Sequence, residues 1–349
     1  MKDEILKVIE FSKKSIQDVE ILFIANVYGK TEMRDYEANK DSIITEFFTE
    51  SEYNSLLKAI KSAGFSIKTF FNEEEFIKYV LDNDLRDCTD KVVFNLARNG
   101  KGLDKKALIP AFCLSRGIMF TGPGAYTTGL GRNKYHYNRI LSSVGIPAAE
   151  SFVYTKGGWL LDKKPEIGQH IIAKPMYESA SRGVHSERIF IYDDSKEQHK
   201  YLANLQNSFE QDIVVQEFLE GDEFEVPIVE LSRFKALGVT KIVFEETINN
   251  PDRIIDYNTA FDETYKFEVV ENPTLRKLAE EAAQVLGLQT YARIDFRSNG
   301  LGDYKVIDIS THPYIIEHSS YRYVFESLGF KHSDIFSFII GKTLLNKKD

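Results

Sequence analysis

The first 122 residues alternate short apolar runs with amphipathic segments. The apolar runs predict strands at 21–27, 65–71, 91–97 and 118–122, and the segments between them predict helices at 52–63, 73–82 and 105–117. An amphipathic helix over residues 1–18 precedes them. Such alternation is typical of a doubly wound parallel sheet with crossover helices, which holds ligands at the carboxyl ends of its strands. The segment 30–50 is long for a loop, and we interpret it as a mobile segment or a lid.

Beyond residue 122 the pattern changes to short strands with fewer helices. Strands are predicted at 151–155, 170–175, 187–193 and twice within 212–231, and helices at about 132–143, 195–208, 273–288 and 332–345. Residues 245–268 are polar, aromatic and weakly periodic, which predicts a loop that orders over a site. We therefore expect a leading helix (1–18), an α/β domain (19–122) and two α+β subdomains (123–215 and 216–349).

The segment 291–310 predicts a hairpin with an unusual polar face. Arg293 and Asp295 alternate with apolar residues in its first half, and Asp308 and Ser310 do so in its second half. Asn299 and Gly300 lie between them in a predicted turn. Carboxylates in the middle of a strand pair are costly unless a partner offsets their desolvation. Magnesium is such a partner, because it takes carboxylate oxygens and completes its shell with phosphates and water.

A second interpretation of the same hairpin stays open at this point. Arg293 and Asp295 would then form a simple ion pair on a solvated sheet face. The metal interpretation carries a structural condition, because the residue numbers 295 and 308 sum to an odd value. The two carboxylates are therefore expected to share a face only if a β-bulge lies between the strands.

Composition narrows the classes of partner. The chain has 349 residues and a formal net charge of -9, which argues against a nucleic-acid surface. It carries neither an apolar run of membrane-spanning length nor a signal-peptide pattern, so we expect a cytoplasmic protein without a membrane partner. No sharp signal for oligomeric state is present, and a homodimer is compatible with the sequence.

Further charged positions suggest anion binding, although each signal is weak alone. Lys174 ends a predicted strand before the small-residue loop 176–186, an arrangement that can neutralise a polyphosphate. Glu223 lies between two predicted strands, where a carboxylate can bind a ribose diol. Arg98 follows the third predicted strand and can hold an anionic substrate. The alternatives are a solvated loop for Arg98 and a hairpin with charged tips for Glu223.

The order of these pieces resembles that of ATP-grasp enzymes, and within them it is most similar to D-alanine:D-alanine ligases. The resemblance covers roughly residues 90–345. It rests on Lys134 within a helix, Lys174 before the small-residue loop, and the segments QEFLEGDEF (216–224), ARIDF (292–296) and DISTHP (308–313). It implies an ATP-grasp fold, in which the parallel-sheet domain is followed by two α+β subdomains that clasp ATP.

The resemblance also implies residue roles. Lys134 and Lys174 would contact the ATP phosphates, Ser181 would lie in the loop that closes on them, Glu217 and Leu219 would frame the adenine, and Glu223 would hold the ribose. Asp295, Asp308 and Ser310 would be ligands of magnesium or, alternatively, of manganese. Arg293 would be the catalytic residue that stabilises developing charge, and Ser319 would bind the carboxylate of an acceptor substrate. The family chemistry is phosphorylation of a carboxylate by ATP, attack of an amine on the acyl phosphate, and release of ADP and phosphate.

Departures from the family pattern concern the amino-acid half of the site. The family's glycine-rich first loop with its acidic residue is not matched by 25–31, and Arg98-Asn99, Ala260-Phe261 and Tyr314 replace its His-Gly, Lys-Tyr and Gly. We therefore expect a carboxylate-amine ligase for small-molecule substrates other than two D-alanines, in which Arg98 recognises an added carboxylate or phosphate. The alternative is a non-catalytic nucleotide-binding regulatory or scaffold protein, since Ser310 stands where the family usually has Asn.

Overall fold

A parallel sheet forms the amino-terminal part of the molecule. The computed structural model describes residues 1–32, 46–98, 104–178, 186–245, 252–255, 259 and 264–346. The strands of this sheet are β1 (Glu20–Ala25), β2 (Ser66–Phe70), β3 (Lys91–Leu96) and β4 (Met119–Phe120), in the order β2-β1-β3-β4. All three pairings between them are parallel, so the predicted doubly wound arrangement is confirmed.

The predicted crossover helices are present around this sheet. They are α2 (Glu50–Ser62), α3 (Glu73–Asp82) and α4 (Leu108–Arg116), and the predicted leading helix is α1 (Lys2–Lys14). Helix α2 begins at a capping box, in which Thr49 and Glu52 each satisfy a free backbone N–H of the other residue. The interpretation of 30–50 as a lid stays a prediction, because most of that segment, 33–45, lies outside the described residues.

An antiparallel sheet follows, after the helices α5 (Ala125–Arg132) and α6 (Lys134–Ser143). Its strands are β5 (Ser151–Thr155), β6 (Gly158–Trp159), β7 (His170–Pro175), β8 (Ile189–Ile191) and β9 (Ile213–Glu217), in the order β6-β5-β9-β7-β8. Helix α7 (Lys196–Phe209) covers one face, where Leu202 and Phe209 pack against Ile171 and Val215. The expected domain boundary after residue 215 falls within β9, and the division into domains stays a prediction.

The third sheet is also antiparallel and carries the predicted hairpin. Its strands are β10 (Glu223–Glu230), β11 (Phe234–Ala236), β12 (Val239–Phe244), β13 (Tyr265–Val270), β14 (Tyr291–Ser298) and β15 (Tyr304–Ser310), in the order β13-β12-β10-β14-β15 with β11 beside β10. Helix α8 (Pro273–Val285) buries one apolar face against this sheet. The expected loop at 245–268 is wrong for 265–268, since these residues pair with β12 as part of β13.

The last two helices are α9 (Ser320–Ser327) and α10 (His332–Asn346), and α10 packs against the amino-terminal helix and strands. Ile335, Phe336 and Ile339 are buried in the same apolar cluster as the amino-terminal strands and α1. Phe336 packs against Phe94 of β3, with ring centroids 5.6 Å apart. Each buried side chain of this size contributes about 1.5–3 kcal/mol, so α10 is a main support of the amino-terminal sheet.

Within the described residues, none of the helices combines the length and apolar character needed to cross a membrane.

Candidate functional site

The carboxylates of Asp295 and Asp308 belong to one directly opposed pair on neighbouring strands. The ladder pairs Asp295 with Asp308 and Arg293 with Ser310, so all four side chains share a sheet face. Nearer the turn, Ser298 pairs with Tyr304, and the register shifts by one residue between Asp295 and Phe296. The predicted β-bulge is therefore confirmed, and it is this shift that brings the two aspartates opposite each other.

Arg293 is fixed by carboxylates on both sides. Its Nε and Nη2 donate to Asp295 Oδ1 and Oδ2 over 2.7 and 2.8 Å. Its Nη1 lies 3.0 Å from Glu225 Oε2 on the neighbouring strand β10. The Arg293–Asp295 ion pair of the second interpretation is thus present, but the face is not solvated, because Asp295 is only 5% exposed. This geometry holds the guanidinium in one orientation.

Burial shifts the pKa of the carboxylates on this face more than the neighbouring arginines do. Burial raises the pKa of Asp295, and Arg293 lowers it by less. Burial likewise raises the pKa of Glu223 and of Glu225, against the opposing effect of the arginines on β14. Burial alone would lower the pKa of Arg293, but Asp295 and Glu225 raise it. Carboxylates whose pKa stays raised beside an arginine are a favourable environment for a further cation.

The donor set fits magnesium bound together with phosphates. Among the described residues, no group of three or more His, Cys, Asp or Glu side chains could hold a metal by itself. Magnesium does not require such a group, since it is typically held by one or two carboxylates plus substrate phosphates. Asp295 and Asp308 would supply the carboxylates, and Ser310, half-buried on the same face, lies beside them.

Asp308 is held in position from the helix α6. Tyr137 Oη donates to Asp308 Oδ1 over 2.9 Å, and the backbone N–H of Ile309 donates to the same oxygen over 2.9 Å. Burial would raise the pKa of Asp308, but the charges of Lys134 and Lys174 lower it overall. The two predicted phosphate lysines and the predicted metal ligand are therefore neighbours.

Hydrogen bonds hold both lysines in position, with Lys134 buried and Lys174 half-buried. Lys134 is 7% exposed and donates to the backbone carbonyl oxygen of Glu178. Lys174 Nζ donates to Gln216 Oε1 over 3.0 Å. Burial lowers the pKa of Lys174 to about 8, while Asp308 opposes the shift. An ammonium group with a depressed pKa gains most from a nearby polyanion, since the anion restores its charge.

The predicted adenine and ribose residues lie next to these lysines. Glu217, at the end of β9, lies 2.7 Å from Lys305 Nζ of β15. Glu223 Oε2 lies 3.5 Å from Arg297 Nη1, whose guanidinium stacks on Phe218 at 4.6 Å. Leu219 is 4% exposed beside this group. Apolar walls with a few charged groups are typical of small-ligand sites.

A cavity of about 820 Å³ connects all of these groups. Every predicted site residue within the described part of the chain lines it: Arg98, Lys134, Lys174, Glu217, Leu219, Glu223, Arg293, Asp295, Asp308, Ser310 and Ser319. Ser181 lies outside the described residues, and its place in a closing loop stays a prediction. The volume is within the range of about 300–1,000 Å³ that is usual for ligand pockets.

Arg98 and Ser319, the two predicted substrate residues, also line the cavity. The Arg98 guanidinium lies between the rings of Phe48 and Tyr314, 4.3 Å from each centroid. It is 2% exposed, so the solvated-loop alternative is wrong for this side chain. Ser319 Oγ donates to the carbonyl oxygen of Ile316 over 2.6 Å and caps α9. Its predicted contact with an acceptor carboxylate stays a prediction.

Sequence reasoning missed several charged or polar residues of the site, and three of them are Tyr137, Glu225 and Arg297. Each had a usable signal. Tyr137 follows Lys134 by three positions, which places both on one helix face. Glu225 and Arg297 continue the period of two from Glu223 and Asp295, so each faces the same side of the sheet as its predicted neighbour.

Comparisons with known proteins identify the family of the chain. Residues 140–341 match the family model of the D-ala D-ala ligase C-terminus. The chain is 24% identical over 253 residues to D-alanine–D-alanine ligase from Actinobacillus succinogenes, covering 71% of this chain and 78% of the relative. It is 23% identical over 313 residues to the D-alanine–D-alanine ligase of Actinobacillus pleuropneumoniae serotype 5b, covering 87% of this chain and 91% of the relative.

A solved structure shows the same fold. The crystal structure of D-alanine–D-alanine ligase from Bacillus anthracis complexed with ATP superimposes with a TM-score of 0.69 at 17% identity, covering 95% of this chain and 99% of that one. The fold is thus the ATP-grasp fold of the D-alanine–D-alanine ligase structures. Within this fold class, the chain belongs to the D-alanine–D-alanine ligase C-terminal family.

Proposed function

We propose that the protein is an ATP-dependent carboxylate-amine ligase that joins an amino acid or small carboxylic acid to an amine, with substrates other than two D-alanines. The observation that carries this proposal is the opposed pair Asp295 and Asp308 on a buried face, in the same cavity as Lys134 and Lys174. Family membership supports the ligase class. The substrate assignment rests on the different residues at the Arg98 end of the cavity.

The proposed reaction has two steps. An oxygen of the substrate carboxylate attacks the terminal phosphorus of ATP, forming an acyl phosphate and releasing ADP. The amine then attacks the acyl carbon, and phosphate leaves with the carboxylate oxygen that it gained in the first step. Phosphoryl transfer needs alignment and positive charge more than covalent help from the protein.

The side chains supply that charge from two sides. Lys134 and Lys174 would neutralise phosphate oxygens, and the burial of Lys134 strengthens its attraction because little water screens it. Arg293, held by Asp295 and Glu225, would stabilise negative charge on the acyl phosphate and on the tetrahedral intermediate. Asp295, Asp308 and Ser310 would hold magnesium, which supplies Lewis-acid stabilisation of the phosphates when bound.

Substrate-dependent formation of ADP tests the proposal. The protein is incubated with ATP, magnesium and pairs drawn from a panel of amino acids, small carboxylic acids and amines. We expect ADP and phosphate to form only with matching pairs, and Asp308→Ala to abolish turnover while the protein remains folded. Near-normal activity of that variant would contradict the metal assignment.

A second candidate function is a non-catalytic nucleotide-binding protein. It is favoured by Ser310 and by the fact that both carboxylate oxygens of Asp295 already accept hydrogen bonds from Arg293. The same experiment distinguishes it, because such a protein would bind ATP but form no ADP with any pair. We favour the ligase, since the lysines, the arginine and both aspartates are all in place around the cavity.

A further inference from the structure

Three aromatic side chains in mutual contact line one part of the cavity, and we call Tyr265, Phe267 and His318 the aromatic wall. The ring centroids of Tyr265 and Phe267 are 5.4 Å apart, and that of His318 lies 5.0 and 5.2 Å from them. Tyr323, which does not line the cavity, packs behind Phe267 with its ring centroid at 5.4 Å. Such edge-to-face and tilted contacts hold the rings in one arrangement, so the aromatic wall is formed before a ligand binds.

Strand β13 presents aromatic side chains to the cavity and charged side chains away from it. Tyr265 and Phe267 line the cavity, whereas Lys266 and Glu268, which alternate with them, are exposed and do not line it. Ile316, which is 8% exposed, adds an aliphatic side chain to the cavity lining two residues before His318. A ligand group that contacts β13 would therefore meet apolar area and no charge.

The strand that carries Arg293 lies between the aromatic wall and the phosphate residues. The order of the third sheet is β13-β12-β10-β14-β15, with Asp308 on β15, Arg293 on β14 and two members of the aromatic wall on β13. Burial would lower the pKa of Arg293, whereas Asp295 and, to a smaller extent, Tyr265 raise it. Tyr265 is therefore close enough to Arg293 to act on its charge.

The proposed reaction would place its two substrates on different sides of Arg293. Magnesium and the phosphates would lie over β14 and β15, where Asp295 and Asp308 oppose each other. The acyl phosphate would form beside Arg293, and its phosphate group would stay on that side until it leaves. The space left for the attacking amine is then toward β10 and β13, where the aromatic wall and Ser319 line the cavity.

We propose that the aromatic wall binds an apolar side chain of the amine substrate, so that the acceptor is an amine or amino acid with an aliphatic or aromatic side chain. This proposal rests on the proposed ligase function and specifies the class of its acceptor. Aromatic rings supply a large contact area and lose little conformational freedom on binding. An apolar group gains by leaving water at this wall, whereas a charged or amide group would be desolvated without a partner on β13.

Pairs of acceptors with similar shape but different polarity test the proposal. Leucine and asparagine form one pair, valine and threonine form another, phenylalanine is added for its ring, and both enantiomers of each are used. Each is supplied with ATP, magnesium and a panel of amino acids and small carboxylic acids, and tandem mass spectrometry of the product identifies the acceptor. ADP formation gives KM, and calorimetry gives the dissociation constant for the ADP-bound protein. We expect the apolar member of at least one pair to have both constants lower by roughly tenfold to a hundredfold.

Two phenylalanines on neighbouring strands separate recognition from support of the fold. Phe267→Ala removes a ring of the aromatic wall, and Phe244→Ala removes one that lies 6.5 Å from the Tyr265 ring without lining the cavity. We expect Phe267→Ala to raise KM for the apolar acceptor by roughly tenfold and to reduce the preference over its polar counterpart. Phe244→Ala is expected to keep that preference, even if its melting temperature falls. Phe267→Leu is the second variant of the wall, to be used if Phe267→Ala does not fold, and it should weaken phenylalanine more than leucine.

The outcomes of these measurements are separable. Equal or better use of the polar members would overturn the apolar acceptor class while leaving the ligase intact. Absence of ADP formation with every combination would count against the ligase, and the dissociation constants would then decide the role of the aromatic wall by themselves. Equal dissociation constants within every pair, or equal loss of preference in the Phe244 and Phe267 variants, would overturn that role.

Discussion

Tyr137 on α6 donates a hydrogen bond of 2.9 Å to Asp308 on β15, and so connects the helix that carries Lys134 to a proposed metal ligand. The phenol ring is fully buried in the apolar cluster beneath the third sheet. The hydroxyl and the Ile309 N–H share one carboxylate oxygen, Oδ1. This arrangement orients Asp308 so that Oδ2 can face a cation.

Tyr137→Phe should therefore weaken metal binding without disturbing the fold. Loss of a hydrogen bond to a metal ligand typically costs about tenfold to a hundredfold in metal affinity. We expect the magnesium concentration that half-saturates nucleotide binding to rise by roughly tenfold. A fluorescent ADP analogue titrated at increasing magnesium concentration provides the measurement. Unchanged magnesium dependence would show that Tyr137 does not position Asp308.

Tyr321→Phe is the matched control for this variant. Tyr321 is also a fully buried tyrosine, but its hydroxyl bonds to the backbone. It lies 2.5 and 2.7 Å from the carbonyl oxygens of Ile228 and Ala292, and it accepts from the Ala292 N–H over 3.1 Å. Its removal should lower the free energy of unfolding by about 1–3 kcal/mol, because a buried carbonyl loses its partner. The magnesium dependence should stay as in the unmodified protein.

The affinity for ATP should fall as the pH rises through about 8, the pKa to which burial lowers Lys174. Below this pH the side chain is a cation and attracts phosphate, whereas above it the free protein holds a neutral amine that must take up a proton on binding. Lys174→Arg should remove the decline near pH 8, because arginine stays charged. The dissociation constant of ATP is measured without magnesium, so that metal binding does not contribute. An identical pH profile in both proteins would contradict the contact between Lys174 and phosphate.

Gly341→Ala should destabilise the packing of α1 on α10. A Cβ atom at this position would lie 2.6 Å from the carbonyl oxygen of Val8 and 2.9 Å from Ser12 Cβ. Alanine favours a helix over glycine by up to about 1 kcal/mol, but forcing two helices apart costs about 1–3 kcal/mol. We expect a net loss of about 1 kcal/mol in the free energy of unfolding, measured with urea.

Ser337→Ala is the control in the same buried helix, since it removes an atom instead of adding one. It should change the free energy of unfolding by no more than about 1 kcal/mol. A Gly341→Ala variant that is as stable as the unmodified protein would show that the two helices can separate without cost.

Periodicity made the hairpin of the site predictable, whereas the nucleotide roles of other residues came from the family resemblance. The strict period of two in β14 and β15 placed Arg293, Asp295 and Asp308 on a hairpin, and the parity of the residue numbers required the bulge that the structure contains. Lys174 could be placed at the end of a strand for the same reason. These features depend on local sequence, which is why they could be predicted without a structure.

Other elements depend on contacts that local sequence does not reveal. Helix α5 was not predicted, because Thr127, Thr128, Gly129 and Gly131 are poor helix formers. Gly131 is required there by its environment, since a Cβ would lie 2.5 Å from Thr311 Cγ2 beside the site. Strand β13 owes its structure to pairing with β12. Sequence reasoning also missed the buried ion pairs of Glu46 with Lys105, Lys106 and Arg132, because these residues come from loops and a helix end far apart in sequence, where no period connects them.

Transfer of a labelled carboxylate oxygen into phosphate tests the proposed ligase reaction most directly. The acid of the pair that forms ADP fastest is prepared with both carboxylate oxygens isotopically labelled, and the released phosphate is analysed by mass spectrometry. An acyl phosphate route predicts one labelled oxygen in each phosphate and the other in the amide product. Unlabelled phosphate would mean that water, and not the carboxylate, attacks ATP, and would contradict the ligase assignment.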